Sequence, residues 1–155
     1  MPKIDPARAP VVTGSTYPKE HAGPCLGRRA VRLGQAAGLT QFGVNVLTLD
    51  PGVWSSQRHW HSHEDEFVYV LEGEVVLVTD AGEDVLRPGD AAGFEAGVKD
   101  GHHFQNRGTA PAKLLIVGSR SDEDHGEYSD IDMKFLPGRY SGGGGYRRKD
   151  DSKFE

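Results

Sequence analysis

The sequence contains little cysteine and no long apolar segment. Cys25 is the only cysteine among 155 residues, so an internal disulfide is excluded and a reducing compartment is expected. Nowhere does the chain approach the ~18 consecutive apolar residues that a membrane helix requires. No apolar run follows Lys3 at the start, which argues against a secretory signal. We therefore expect a cytoplasmic protein with no membrane partner.

An excess of positive charge is also missing. Lysine and arginine number 18 against 23 aspartate and glutamate residues, which gives a formal net charge of -5. Binding to nucleic acid or to an anionic membrane through general charge needs the opposite balance. We expect no nucleic-acid partner and a small molecule as substrate or ligand.

Glycine and proline, in contrast, are plentiful, with 21 and 9 residues. Between residues 29 and 117, short runs rich in Val, Leu, Phe and Thr alternate with turn signals such as Asp50-Pro51-Gly52. Turns about every 8–12 residues, with no helical period between them, are typical of all-β sandwiches and barrels.

The composition divides the chain into three parts. Residues 1–28 form an irregular N-terminal arm interrupted by prolines, 29–120 a barrel, and 121–155 a C-terminal extension. The extension joins an acidic stretch to the glycine run at 142–145, and such runs are flexible. Two interpretations are open: a solvated, partly flexible extension, or an arm that packs on a second subunit or covers a pocket mouth.

Histidine clusters carry the chemical signal. His59, His61 and His63 alternate along the chain, and alternate residues of an extended strand share one face. Glu66 follows after a short connection and opens the next apolar run. Two or three imidazoles and one carboxylate can then meet inside a barrel. Imidazole nitrogen and carboxylate oxygen are ligands for zinc, iron, manganese, nickel and copper.

A second histidine pair lies forty residues further along the chain. Either His102 or His103 could complete the ligand set from a distant strand. A site with three histidines and one glutamate leaves a coordination position free for water or substrate. That open position distinguishes catalytic metal sites from closed structural ones.

These residues resemble the two motifs of the cupin family over roughly 34–118. The first motif is matched by His59-Trp60-His61, Glu66 and Gly73, and the second by Gly89-Asp90, Gly97, His102 and Asn106. The resemblance implies a double-stranded β-helix, or jelly-roll, barrel. It also implies that His59, His61, Glu66 and His102 bind one divalent metal ion, such as Zn, Fe, Mn or Ni.

The wider pattern is similar to that of a bacterial group of small single-domain cupins. It includes 38–43, Pro51-Gly52 and 130–134. Members of that group carry the name sugar-phosphate isomerase, and the resemblance implies a homodimer. Four residues separate Gly97 from His102 where the family usually has two, so we expect a longer loop at the barrel mouth. We assign His102 rather than His103 because Asn106 follows it at the family's spacing.

Two classes of function fit these residues. The first is a metal-dependent enzyme, either an isomerase of the sugar-phosphate type or a dioxygenase, in which His63 or Glu95 acts as general acid or base. The second is a non-catalytic barrel that binds or senses a small molecule. The alternative for His63 is an exposed turn residue, and for Glu95 a position on the rim.

Overall fold

Short β-strands make up most of the regular structure. The computed structural model describes residues 3–155, so the first two residues of the predicted N-terminal arm lie outside the described residues. The first strands are β1 (Val11–Thr13), β2 (Arg28–Arg32), β3 (Phe42–Leu49), β4 (Glu66–Glu72), β5 (Val75–Thr79) and β6 (Gly82–Leu86). The later strands are β7 (Ala91–Phe94), β8 (His103–Gln105), β9 (Ala112–Ser119), β10 (Gly126–Glu127), β11 (Lys134–Phe135) and β12 (Tyr146–Arg147).

Helices are short throughout the described residues. They are α1 (Lys19–Ala22), α2 (Leu33–Ala36) and the 3-10 turns Pro6–Arg8 and Gly23–Cys25. In the part of the chain that the structure describes, no helix is long and apolar enough to span a bilayer.

Three antiparallel sheets form the molecule. A six-stranded sheet has the order β1-β2-β3-β9-β4-β7, and a three-stranded sheet has the order β6-β5-β8. A small third sheet, β10-β11-β12, belongs to the C-terminal extension. The predicted all-β fold is confirmed.

The hydrophobic core lies between the two larger sheets. Alternate residues of each strand point into it, since side chains of a strand alternate between its faces. Its fully buried members include Leu49 on β3, Val68 and Val70 on β4, and Leu114 on β9. Phe104 of β8 enters from the opposite sheet and is 1% exposed. Burial of these side chains supplies most of the driving force for closing the barrel.

The inner face of the six-stranded sheet changes from apolar to polar along the strands. At the apolar end, Leu47 pairs with Leu114 across β3 and β9. Further along the same face, Gly43 pairs with Gly118, and Gly118 pairs with Glu66. A cavity therefore opens at the polar end, with Glu66 at its edge.

The outer face of the same sheet carries apolar side chains in solvent. Phe67, Tyr69 and Leu71 of β4 are 44%, 38% and 40% exposed. Phe67 pairs with Val117 and Tyr69 with Leu115, so the apolar surface continues onto β9. Extended apolar faces of this kind are typical of surfaces that another chain covers. The homodimer stays a prediction.

The C-terminal extension crosses the polar end of the barrel. Tyr128, Met133 and Phe135 form a second buried cluster, against which Tyr17 of the N-terminal arm packs. Tyr128 also forms an isolated backbone bridge with His59. Contact with the pocket mouth is thus the interpretation of the extension that these residues support. The boundaries at 28/29 and 120/121 stay predictions.

Candidate metal centre

Three separate chain segments bring the predicted ligands together. A backbone bridge joins His59 to His102, with N–H···O distances of 3.2 and 2.9 Å. Glu66 is the first residue of β4 and lies on its inner face. His61 lies in the irregular connection between them. The barrel therefore places on one side of the cavity residues that lie up to 43 positions apart in the chain.

The side-chain distances are those of a potential metal site. His59 Nε2 lies 3.0 Å from His61 Nε2. Glu66 Oε2 is 3.6 Å from His61 Nε2, and Glu66 Oε1 is 3.7 Å from His102 Nε2. His59, His61 and Glu66 offer ligand atoms that all lie within 4.8 Å of one another. His102 adjoins this group through Glu66.

The other ring nitrogens determine what the site can bind. The Nδ1 of His59 lies 2.8 Å from Gln57 O, and that of His102 lies 3.3 Å from Asp100 O. A carbonyl oxygen only accepts, so each Nδ1 is the donor. His61 Nδ1 lies 2.7 Å from the carboxylate of Asp124, which also accepts. All three Nε2 atoms therefore present lone pairs to one region.

A cation satisfies this arrangement. Two lone pairs 3.0 Å apart, on His59 and His61, repel each other unless a proton or a metal ion lies beside them. Among the described residues, His102 Nε2 is buried with no hydrogen-bond partner, and such an atom is costly to leave unpaired. These residues fit a divalent metal ion. The assignment of all four ligands stays a prediction.

The electrostatics of the site keep its ligands in the metal-binding form. Burial, with the neighbouring His61 and His102 imidazoles, lowers the pKa of His59 to about 3. Burial alone would raise the pKa of Glu66, but contacts with His102, His59 and His61 outweigh it and lower this pKa to about 2. Near neutral pH, His59 is unprotonated and Glu66 is a carboxylate, as metal ligation requires.

Two buried carboxylates and their hydrogen-bond partners lie behind His61 and hold it in place. Asp124 is 1% exposed and accepts from His61 Nδ1 with Oδ2 and from the His63 N–H with Oδ1. Arg139 donates to Glu64 at 2.6 Å and to Asp124 at 3.2 Å. Tyr140 donates to the other oxygen of Glu64 at 2.7 Å. We name Glu64, Asp124, Arg139 and Tyr140 the support cluster.

Sequence reasoning did not identify the support cluster. Glu64, Asp124 and His61 offer a second group of potential ligand atoms, but Arg139 already pairs with both carboxylates there. This cluster therefore orients a ligand rather than binding a second metal ion. Metal-bound imidazoles commonly donate their other N–H to a carboxylate in this way.

Aromatic rings enclose the imidazoles. Phe94 stacks on His102 with ring centroids 3.5 Å apart. Phe135 lies 5.3 Å from the His61 ring, and Tyr128 lies 5.4 Å from the His59 ring. Two of these rings, Tyr128 and Phe135, come from the C-terminal extension, which thus covers one side of the His59 and His61 rings.

A cavity of about 840 Å³ adjoins the ligands. Its lining includes His59, His61 and Glu66 together with Tyr17 and Tyr128. Four arginines also line it: Arg28, Arg32, Arg120 and Arg139. The volume lies within the range of ~300–1,000 Å³ that is common for small-molecule sites.

Among residues 3–155, neither of the two predicted acid–base residues, His63 and Glu95, lines the cavity. The extended strand predicted through His63 does not form, because the chain bends at Ser62 and His63. His63 is exposed, with Nδ1 2.7 Å from Ser62 Oγ and Nε2 3.7 Å from Glu123. Glu95 is exposed just after β7. Their catalytic roles gain no support from the geometry and stay predictions.

His103 lies away from the ligands, as expected. Its Nδ1 is 2.8 Å from Ser56 O, and its Nε2 is 2.9 Å from the side-chain amide of Gln105. Its ring packs against Trp54 at 4.8 Å. Burial lowers the pKa of His103 as well. This histidine is therefore a packing residue of the barrel.

The low pKa of His59 predicts that the metal-free protein loses stability in acid. An unfolded histidine binds a proton near pH 6.5, whereas folded His59 does so only near pH 3. Between these values the unfolded state binds more protons, so the free energy of unfolding falls as pH falls. From pH 6.5 to 5.0, His59 alone lowers it by about 2 kcal/mol.

Urea unfolding of the chelator-treated wild type and of His59→Gln, at pH 6.5 and 5.0, measures this loss. Other groups titrate in both proteins, so the difference between the two isolates His59. The prediction is contradicted if both proteins lose the same free energy of unfolding.

Comparison with known proteins places the chain in a family. The cupin-domain family matches residues 45–118, which contain all four predicted ligands. A solved sugar phosphate isomerase of the cupin superfamily, from Silicibacter pomeroyi, is 45% identical. The alignment covers 99% of this chain and 97% of that chain, and the TM-score is 0.93.

Two further proteins are more distant. A solved structure from Acidithiobacillus ferrooxidans is 29% identical, with 82% of this chain and 80% of that one covered and a TM-score of 0.74. The tetracenomycin polyketide synthase protein TcmJ of Streptomyces glaucescens is 28% identical over 110 residues, which are 71% of this chain and 70% of TcmJ. With the motifs, the barrel and these relatives in agreement, this chain belongs to the cupin superfamily.

Proposed function

We propose that this protein is a metal-dependent enzyme that acts on a small oxygenated substrate, as an isomerase of the sugar-phosphate type. One observation carries the proposal. The Nε2 lone pairs of His59 and His61 and the carboxylate of Glu66 meet at the edge of a cavity of about 840 Å³, and His102 Nε2 lies 3.7 Å from Glu66 on its buried side. A metal site that opens onto a cavity is the arrangement of a catalytic centre.

The residues have distinct roles in this proposal. His59, His61, His102 and Glu66 would hold one divalent ion, such as Zn, Fe, Mn or Ni. When bound, that ion supplies Lewis acidity toward a substrate hydroxyl or carbonyl oxygen. Phe94 packs on the ring of His102 and Phe135 on that of His61, so each covers one side of an imidazole.

Two buried tyrosines can contact the substrate. Tyr17 and Tyr128 line the cavity, and burial raises the pKa of each hydroxyl far above its ordinary value. Both hydroxyls therefore stay protonated near neutral pH. Tyr128 already donates to the Tyr17 hydroxyl, so Tyr17 is the one free to donate a hydrogen bond to a substrate oxygen, and neither can act as a base.

One relative supports the isomerase reaction. The Silicibacter pomeroyi protein is described as a sugar phosphate isomerase, and it aligns with nearly the whole of this chain at 45% identity. The alignment extends beyond the barrel into the N-terminal arm and the C-terminal extension, which supply Tyr17 and Tyr128 to this chain's cavity.

Metal analysis and turnover together test the proposal. Untagged protein is purified without added metal, and its metal content is measured by mass spectrometry. Aldose and ketose phosphates are then incubated with the protein, and their interconversion is followed by NMR, with chelator-treated protein as the control. We expect about one metal equivalent per chain, and isomerisation that stops on chelation and returns on reloading.

Other outcomes would assign the barrel differently. Iron with substrate-dependent oxygen uptake and no isomerisation would indicate a dioxygenase. Bound metal with ligand-induced stabilisation and no turnover would indicate a binding or sensor protein. Absence of metal even after reconstitution with several ions would overturn the metal-dependent reading altogether.

A further inference from the structure

Two of the four cavity arginines already have fixed partners. Arg139 is held by Glu64 and Asp124 of the support cluster. Arg28 donates to the backbone carbonyls of Gly14 and Ser55. Their donors are therefore partly committed to the protein itself.

The other two arginines have no carboxylate partner among the described residues. Arg120 makes one long hydrogen bond, 3.3 Å from Nη1 to Leu39 O, and stacks over the Tyr140 ring at 5.7 Å. Arg32 is exposed, and no ion pair or side-chain hydrogen bond forms there within residues 3–155. Both guanidinium groups keep most of their donors for a ligand.

The sheet register places Arg120 across the cavity from the metal centre. A Cβ added at Gly43 would lie 3.6 Å from Nη2 and 3.7 Å from Nε of Arg120, so this guanidinium covers the inner face at Gly43. Gly43 pairs with Gly118, which pairs with Glu66. Two strand spacings separate Gly43 from Glu66, or about 10 Å.

The same register places Gly118, which has no side chain, between the Arg120 guanidinium and Glu66. Gly43 and Gly118 have no side chains, and both line the cavity. Arg32 lies on the adjacent strand β2 opposite Asn45, which adds an amide to the same wall. A substrate can therefore pass over Gly118, with one end at the metal ligands and the other at the Arg120 guanidinium above Gly43.

The acidic groups of the cavity do not cancel these charges. Glu64 is held by Arg139 and Tyr140 on the support-cluster side, and Glu66 faces the metal ligands. Asp65 is exposed at the edge, where Oδ1 accepts from the Ala96 N–H at 2.8 Å. Positive charge therefore prevails on the wall formed by Arg32 and Arg120.

We propose that Arg120 and Arg32 form a subsite for an oxyanion at the far end of the substrate from the metal centre. The inference deepens the proposed function and rests on it, since the substrate is the molecule whose oxygen meets the metal. Guanidinium groups bind phosphate and carboxylate through charge-assisted, often paired, hydrogen bonds. The ligand class is thus a phosphate monoester or a carboxylate.

Anion titration with three variants tests the subsite. Inorganic phosphate and acetate are titrated by calorimetry into wild type, Arg120→Gln, Arg32→Gln and Arg29→Gln, at constant ionic strength, in metal-loaded and chelator-treated form. Arg29 is the matched control, because it lies on β2 with Arg32 but on the opposite face of the sheet. We expect about tenfold weaker anion binding for each subsite variant and wild-type binding for Arg29→Gln.

The two anions distinguish a phosphate monoester from a carboxylate as the ligand of the subsite. A loss confined to phosphate assigns a phosphate monoester, and a loss confined to acetate assigns a carboxylate. The subsite is overturned if wild type binds neither anion, or if both subsite variants bind them as Arg29→Gln does. Metal content, measured in parallel, should stay at the wild-type level in Arg120→Gln. Anion binding without any metal binding would overturn the proposed function and leave the subsite in place.

Discussion

His61→Ala should lose most of its bound metal. His61 is the central member of the predicted ligand set, 3.0 Å from His59 Nε2 and 3.6 Å from Glu66 Oε2. Its removal deletes one of the imidazole ligands and leaves the support cluster with no ligand to orient. Metal per chain, measured by mass spectrometry after gel filtration, should fall far below the wild-type value.

His63→Ala is the matched control for this experiment. It removes a histidine two positions away from His61. The His63 side chain is exposed and, among residues 3–155, does not line the cavity. We expect this variant to retain wild-type metal content. Circular dichroism should show both variants folded, so that metal loss reports ligation. Stoichiometric metal in folded His61→Ala would exclude His61 as a required ligand.

Asp124→Asn should weaken metal binding by about 10–100-fold, the usual effect of losing the outer partner of a metal-bound histidine. The substitution preserves the shape of a side chain that is 1% exposed, but it removes the negative charge beside His61 Nδ1. His61 then becomes a weaker donor of electron density to the ion, and Arg139 loses one of its two carboxylates.

Glu123→Gln provides the comparison. Glu123 is the neighbouring acidic residue, but its side chain is 83% exposed. Competition with a fluorescent chelator gives the metal Kd of both variants. We expect Glu123→Gln to match the wild type. An unchanged Kd in Asp124→Asn would show that the support cluster has only a structural role.

The predicted ligands and the support cluster differ in how far the sequence reveals them. His59, His61, Glu66 and His102 occur at spacings that a family motif records, so they could be predicted together. Asp124 is 63 residues from His61. It is one of several acidic residues in its stretch, and no sequence pattern marks it as the partner of an imidazole. Only the path of the C-terminal extension brings the two together.

The rule that alternate residues share one face of a strand correctly places side chains on β2, but it does not hold at His63, where no strand forms. Along β2, alternation places Arg32 on the same inner face as Ala30, a signal that could have identified the cavity arginines before the structure. For His63 the assumption of an extended strand was wrong. The chain bends there because the Ser62 and His63 N–H groups bond to His125 O and Asp124 Oδ1.

The crossing of the C-terminal extension has a consequence for the order of assembly in the cell. During synthesis, residues 59–102 leave the ribosome before Asp124, Tyr128 and Phe135, and domains begin to fold as they emerge. The four predicted ligands can therefore meet while their aromatic and acidic neighbours are still missing. An ion captured at that stage would be held at an open, hydrated site, and the last part of the chain would then enclose whichever metal had arrived first.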